Sequence, residues 1–507
     1  MKGTSLRIII IGAGMAGIAA GVMFREAGYD DLVIYEKGDR IGGTWRENTY
    51  PGVACDVPSH LYSYSFAPNP EWSHVFAPGM EIRDYLDSVA RHRDIERLIV
   101  YRTEVADLEW CDRRWHLTTV DGRRDEADIV IAATGVLHHP AYPEISGLEN
   151  FEGAMFHSAR WDHRVSIAGA RVGVIGTGSS AVQIVGAIVD TVEELHLFQR
   201  TPQWVLPVPN LAIGEEDKAR YRSDPREIEE LREELSLTFT KGFANAVVDA
   251  ESPQAKLLED LCRANLDESV PDLEFREQLR PNYRAACKRL VVSPNFYQAV
   301  QHSHARVVSD PIQRVEAGGV RTADGRLHHL DVLVLATGFR VDRFLRPIQV
   351  TGRGGVSLDD TWSKRPSAYL SVSIPNFPNL FLLNGPNGPV GNFSLIDVAE
   401  LQLHYILQLT QNIKRGACAE VSASAAATER FEAERVEATK RTVWVTGCNS
   451  WYLDDRGVPA AWPWTMDHFR EVMVSPDLAD FDLVGSGLDP EERRPSTGKV
   501  NRFSNHF

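Results

Sequence analysis

Ile8-Ile9-Ile10-Ile11-Gly12-Ala13-Gly14-Met15-Ala16-Gly17 is an apolar run that stops on three spaced glycines. A short β-branched run bounded by glycine reads as a buried strand. The glycines then allow a tight turn into a helix whose first amides face a pyrophosphate. One such match is weak, because glycine-rich turns are common. The chain carries a second, where Val172 to Ile175 runs into Gly176-Thr177-Gly178-Ser179-Ser180-Ala181. In each copy a charged residue stands 24 positions past the first glycine, Glu36 in one and Arg200 in the other. Both follow predicted strands, Leu32 to Tyr35 and Leu195 to Phe198. A carboxylate at that place accepts a hydrogen bond from a ribose hydroxyl and repels a 2′-phosphate, whereas an arginine welcomes the phosphate. Two different dinucleotides are expected, the second of them phosphorylated, and FAD with NADPH fits the pair. The alternative at the second site is NADH with Arg200 on the surface; the Thr201 hydroxyl beside it favours phosphate.

Each glycine motif is followed downstream by a related string, Asp128–Gly135 (DIVIAATG) and Asp331–Gly338 (DVLVLATG). The pairing predicts an α/β fold with two Rossmann-like dinucleotide-binding domains. A chain of 507 residues is too long for one hydrophobic core, which agrees. The expected division is an FAD-binding domain over 1–150, an NADPH-binding domain over 151–214 and 281–340, and a return to the first domain over 341–485. The stretch 215–280 is highly charged and helix-prone, and reads as a helical insertion with a solvated face. A polar tail covers 486–507. Within the first domain, Gly42 to Pro78 is irregular and too long for a casual connector, so it reads as functional. A helix is predicted at Met80 to Arg93, then an antiparallel meander from Ile99 to Leu108 and Trp115 to Val120 around the turn at Asp121-Gly122.

Lys and Arg total 54 against 70 Asp and Glu, a net charge of −16, which makes the chain a poor non-specific partner for nucleic acid or anionic lipid. The six cysteines form no CxxC, so neither a disulfide framework nor a zinc ribbon is expected, and a reducing cytoplasm is the natural home. No dithiol of the kind disulfide-reducing flavoenzymes need stands near in sequence. His138-His139, His328-His329 and His302-Ser303-His304 lack carboxylate or cysteine partners at ligand spacing, so no metal site is expected. The most apolar stretch near the start, Ile8 to Phe24, is broken by Gly12, Gly14, Gly17 and Gly21 and carries no signal-peptide pattern, so no membrane segment is expected.

Phe151-Glu152-Gly153-Ala154-Met155-Phe156-His157-Ser158-Ala159-Arg160-Trp161-Asp162 resembles the FxGxxxHxxxW(P/D) fingerprint of type I Baeyer–Villiger monooxygenases. The family pattern GGxWxxxxYPGxxxD is matched from Gly42-Gly43-Thr44-Trp45 through Tyr50-Pro51-Gly52 to Asp56. The resemblance runs from about residue 5 to about residue 465. It implies an enzyme that uses FAD, NADPH and dioxygen to insert one oxygen atom beside a ketone carbonyl, through a C4a-peroxyflavin, giving an ester or lactone. By that match Arg289, Asp56, His157 and Trp451 form the catalytic set. Arg289 would enter the active site and Asp56 would lie near the flavin edge. His157 would couple cofactor reduction to domain movement, and Trp451 in Asn449-Ser450-Trp451-Tyr452 would drop over the substrate pocket. The implied cofactor contacts are Gly12, Gly14, Gly17, Glu36, Gly43, Thr44, Trp45, Asp56, Tyr62 and Val105, with Gly176, Gly178, Ser179, Ser180, Gln183, Arg200, Thr201 and Lys288. Two rivals stay open: a related flavin enzyme that oxygenates nitrogen or sulfur, against which Trp161-Asp162 argues, and a non-catalytic flavin redox sensor, which would not need Arg289 and Asp56. The chain departs from the pattern at Leu453-Asp454-Asp455, where some members carry Gly-Ala-Asn, which leaves the pocket rim open. Neither the ketone nor the oligomeric state is legible.

Overall fold

The structure is a computed structural model that describes residues 6–391 and 393–485; the expected polar tail lies outside the described residues. Two five-stranded parallel sheets organise it. The first runs in the order Leu380–Leu382, Ile129–Ala132, Arg7–Ile11, Asp31–Tyr35, Ile99–Val100. The second runs in the order Ala154–His157, Val332–Leu335, Arg171–Ile175, Glu194–Phe198, Ala305–Val308. The glycine-motif strand is central in both, with Ile8 opposite Leu32 and Ile129, and Val172 opposite Leu195 and Val332. A central parallel strand is covered on both faces, which is why Ile8, Ile9 and Ile10 form an unbroken apolar run and are fully buried.

Each central strand ends on its first glycine, at φ 104° for Gly12 and 123° for Gly176. A Cβ would lie 2.5 Å from the Ala133 carbonyl oxygen at Gly12 and 2.3 Å from the Ala336 oxygen at Gly176. Those alanines open the two Ala-Thr-Gly ends. The glycine turn and the downstream string are therefore one device in each half: the neighbouring strand end sits where a side chain would be. Open parallel sheets bind ligands at the carboxyl ends of their strands where the strand order reverses, and both turns stand there.

The chain reaches its last first-sheet strand, Leu380–Leu382, only after completing the second sheet. Each half also carries a small sheet with an antiparallel meander, Val105–Cys111, Arg114–Thr119 and Arg124–Ala127 in one and Ile312–Glu316, Gly319–Thr322 and Leu327–His329 in the other. Ile99 and Val100 do not join the meander as expected; they pair in parallel with Ile34 and Tyr35. The left-handed residue Arg102, at φ 52°, separates them from the strand that begins at Val105.

The insertion folds into helices Glu215–Ser223, Pro225–Thr238, Pro253–Ser269 and Leu273–Gln278. It does more than offer a solvated face. Arg232 reaches the first domain and pairs with Asp397 and, at 3.6 Å, with Glu400 on helix Leu395–Lys414. Burial pushes both carboxyls above their ordinary range, and the guanidinium opposes that shift.

The cysteine expectation is corrected at one pair. Cys287 and Cys448, 161 residues apart, form a disulfide with Cα atoms 6.1 Å apart. The absence of CxxC spacing carried no information about this pair, because tertiary folding brings together two segments remote in sequence. Both sulfurs lie in an apolar cluster with Val247, Val443, Trp444 and Tyr452. Among the described residues, no helix is long and apolar enough to cross a membrane, and no group of three or more His, Cys, Asp or Glu is placed to hold a metal ion.

Candidate active site

A cavity of about 1180 Å³ extends from one glycine turn to the other, with residues of both domains in its wall. Gly12, Gly14, Glu36, Gly43, Thr44, Trp45, Asp56, Tyr62 and Val105 line it from the first domain. Gly176, Gly178, Ser179, Ser180, Gln183, Arg200, Thr201, Lys288 and Arg289 line it from the second, and Trp451 comes from the C-terminal segment. Two expected site residues, Gly17 and His157, are absent from this wall. A Cβ on Gly17 would stand 1.8 Å from the Gly12 carbonyl oxygen, so this glycine packs helix against turn.

Both cradles fit dinucleotides. The helices Met15–Glu26 and Ser179–Ile188 open on Gly14 and Gly178, which supply no side-chain cap, and neither helix has an acidic residue in its first turn. Their leading amides and the positive end of each helix dipole are left for an anion. Gly178 has nothing within 4 Å of where a Cβ would be, whereas a Cβ on Gly43 would come 3.1 Å from the Gly14 Cα. Backbone thus approaches backbone at the first turn, and the second stands open to the cavity.

Glu36 is 4% exposed. Its carboxylate accepts from the Ala13 amide at 2.8 Å, the Gly38 amide at 2.7 Å and the Arg46 guanidinium at 2.7 Å. Four lone-pair sites against three donors leave capacity for a ribose hydroxyl. Arg46 was not anticipated; nothing in its spacing marks it, since its role depends on the helical turn Thr44–Glu47 pointing it back at the strand tip. At the second cradle Arg200 is exposed and Lys288 stands 4.8 Å over the Tyr283 ring. Burial, then the neighbouring Arg200 charge, hold the Lys288 ammonium below its ordinary pKa. Two cations crowded into one cavity wall suit a phosphate dianion.

The side chains of Ser180 and Gln183 also work across the domain boundary. Tyr50 donates to Gln183 at 2.9 Å, Ser180 donates to the Tyr50 hydroxyl at 3.2 Å, and Gln183 donates to the Ala54 carbonyl at 3.0 Å. A Cβ on Gly52, at φ 81°, would lie 2.7 Å from the Gln183 carbonyl oxygen. The Tyr-Pro-Gly loop is thus a docking contact between the two domains.

Arg289 and Asp56 come from different domains, 233 residues apart, and meet in the cavity. The Asp56 carboxylate accepts from Arg289 Nε at 3.0 Å and from Nη2 at 2.5 Å, while Nη1 donates to the Gly391 carbonyl. Burial works against the guanidinium charge, but Asp56 and the Tyr452 hydroxyl outweigh it, and Arg289 holds its proton more tightly than a free arginine. Their side chains keep 28% and 24% of their surface, enough to meet a ligand. Trp451, 38% exposed, stands at the rim with its ring 4.1 Å from that of Tyr452.

His157 ends the edge strand of the second sheet and is 1% exposed. Nδ1 accepts from the Ala159 amide at 3.1 Å, so Nε2 carries the proton and donates to the Gly338 carbonyl at 3.0 Å. Burial pulls its pKa down to about 4, so the ring is neutral. The linker residues beyond it touch the first domain: Arg160 pairs with Glu47 at 3.3 Å and His163 meets Thr49 at 2.8 Å.

Residues 9–214 match the pyridine nucleotide-disulphide oxidoreductase family. The chain is 43% identical over 485 residues to an uncharacterized monooxygenase of Mycobacterium tuberculosis, covering 95% of this chain and 97% of that one. It superposes on cyclohexanone monooxygenase from Rhodococcus sp. Phi1 bound to NADP+ with a TM-score of 0.85 at 30% identity, over 94% of this chain and 99% of the other. The OTEMO complex with FAD and NADP gives 0.86 at 27% identity, over 95% and 100%. With 39% identity over 508 residues to the Baeyer–Villiger monooxygenase of Pseudomonas aeruginosa, covering 97% of this chain and 94% of that one, the chain belongs to the Baeyer–Villiger monooxygenase family.

Proposed function

We propose that this protein uses FAD, NADPH and dioxygen to insert one oxygen atom beside the carbonyl of a small-molecule ketone, giving an ester or lactone. The observation that carries the reading is the guanidinium of Arg289, fixed by Asp56 in the wall of a cavity that both glycine turns share. Bound FAD, reduced by NADPH, supplies the two-electron chemistry with dioxygen.

The chain's residues act on the substrate and on the geometry. As oxygen adds to the ketone, negative charge develops on the carbonyl oxygen, and a preorganised cation in a dry site stabilises it. Arginine suits this role because it keeps its proton and donates from a planar fork. Asp56 occupies one edge of that fork and sets its direction. Trp451 stands where it can cover the mouth and keep water out. Glu36 receives the ribose of FAD, and Arg200, Thr201 and Lys288 receive the 2′-phosphate of NADPH. His157, neutral and set back from the cavity, serves as a positioning residue at the hinge, holding the Gly338 end of the second sheet to the linker. Both cysteines of the disulfide are buried, Cys287 at 0% and Cys448 at 8% exposure, which hinders reductant and is compatible with a cytoplasmic home.

The test is Arg289→Ala against a ketone panel with a thioether control, with ester read by mass spectrometry. Loss of one such donor costs about 3 kcal/mol of transition-state stabilisation, on the order of a hundredfold in rate. The variant should bind FAD and oxidise NADPH while forming almost no ester. Wild-type ester yield from it would refute the assignment.

A further inference from the structure

Three partners from three parts of the chain close on Arg289. Asp56 comes from the first-domain loop and Gly391 from the return segment. The third is Tyr452, on the segment that carries Trp451. Tyr452 is 3% exposed, and its ring packs on Trp444 at 5.2 Å and on Trp451 at 4.1 Å. Its hydroxyl lies against Gly391: a Cβ there would stand 1.9 Å from it. The guanidinium that donates to the Gly391 carbonyl thus stands beside this hydroxyl, which helps it keep its proton.

The surrounding chain leaves Tyr452 little freedom. The Cys287–Cys448 disulfide joins the segment of Arg289 to the segment of Tyr452 four residues upstream of the tyrosine. Downstream, the Ala460 amide donates to the Tyr452 carbonyl at 2.7 Å, and Asp454 closes a turn by accepting from the Arg456 and Val458 amides. The fully buried Arg435 holds the carbonyls of Pro459 and Ala461 from below. A tryptophan at the rim and a tyrosine on the guanidinium, adjacent in sequence, therefore move as one unit.

We propose that Tyr452 is a positioning residue that couples the seating of the Trp451 segment to the orientation of Arg289. With the segment seated, its hydroxyl and the Gly391 carbonyl hold the guanidinium from the side opposite Asp56. With the segment lifted, Asp56 remains the sole side-chain anchor and the fork swings about that pair. The site is thereby armed only when its mouth is covered. This rests on the reading of Arg289 given above.

The conservative variant Tyr452→Phe deletes one hydroxyl and keeps the ring between Trp444 and Trp451. On the FAD-loaded protein, phenylglyoxal labelling of Arg289, followed by peptide mass spectrometry, should speed up about fivefold to tenfold, the range one hydrogen bond carries. Labelling of Arg232, which is held by Asp397 and Glu400 in another part of the molecule, should stay at the wild-type rate. Reciprocally, Arg289→Ala should raise hydrogen exchange at the Asp454 and Ala460 amides, and adding Tyr452→Phe should raise it no further. Ester formed per NADPH should fall in Tyr452→Phe with the KM for NADPH unchanged. Unchanged Arg289 labelling overturns the proposal, as does an equal rise at Arg232 or an additive effect in the double variant. A wild-type protein that makes no ester from any ketone would instead overturn the functional reading, and the labelling and exchange arms would still decide the role of Tyr452.

Discussion

Arg200→Ala separates the two nucleotides that the second cradle could hold. A hydrogen bond to a charged group contributes roughly 1.5–3 kcal/mol, and Arg200 is exposed, so the lower end applies. At 1.4 kcal/mol per decade this is about a tenfold rise in the Kd for NADPH. NADH has no 2′-phosphate, and its affinity should move by less than about twofold on the same scale. Lys288 sharpens the test. Burial and the Arg200 charge hold its pKa below the ordinary value in the unbound protein. A phosphate dianion favours the charged ammonium and raises that pKa, so NADPH binding takes up a proton. NADPH affinity therefore falls as pH climbs from the unbound pKa of Lys288 toward the bound one, and NADH affinity shows no such slope. Removing Arg200 removes a like charge, so the unbound pKa rises and the fall begins at higher pH. Isothermal titration across pH with both nucleotides measures all three effects. Equal losses for NADPH and NADH, or a shared pH slope, would refute the assignment of this wall to the 2′-phosphate.

Glu36→Ala strands the Ala13 and Gly38 amides and half-frees Arg46, at roughly 1–3 kcal/mol for each stranded buried donor. The purified variant should carry little flavin absorbance, and full FAD content would contradict the ribose assignment. Cys448→Ser opens a loop of 161 residues, for which chain entropy sets an upper bound of about 5 kcal/mol. Its melting temperature should fall well below wild type by calorimetry, and an unchanged value would mean the crosslink contributes nothing. His60 and His157 both have pKa values pulled down to about 4 by burial, so between pH 6.5 and 4 the unfolded chain binds protons that the folded chain refuses. Stability must drop as pH falls through that window, and His157→Gln should flatten the acid limb of the melting profile. Gly391→Ala pushes a methyl into the Tyr452 hydroxyl at a residue with φ 87°, and should lower ester yield while leaving NADPH affinity alone.

The sequence displayed best what is local and periodic. Ile8–Ile11 and Val172–Ile175 announce themselves because a strand covered on both faces admits no polar residue, and their glycines because strand ends touch them. Glu36 and Arg200 follow from a fixed offset within one βαβ unit, where rise per residue and helix length leave little slack. What stayed hidden depends on segments meeting at long range. Arg46 reaches Glu36 only because a one-turn helix points it there, and Cys287 finds Cys448 across 161 residues. The insertion looked like decoration because Arg232 sits in a charged helix; only its partners Asp397 and Glu400 make it a strut.

The long-range contacts also explain why the two domains need each other. Asp56 comes from the first domain, and the guanidinium that it steers, Arg289, comes from the second. The Tyr50 contact to Gln183 and Ser180 and the Arg160 contact to Glu47 fix the domains laterally, and neither touches the guanidinium. A molecule in which those contacts formed without the Cys448–Tyr452 segment would have both cradles, a shared cavity and an arginine anchored by Asp56 and the Gly391 carbonyl alone. Flavin reduction asks only for the cradles, whereas oxygen insertion asks for a cation of fixed direction. Loss of the C-terminal segment should thus leave NADPH oxidation running while ester formation fails, and a truncated or lifted segment that still gave full ester yield would show that Asp56 and the Gly391 carbonyl suffice to orient Arg289.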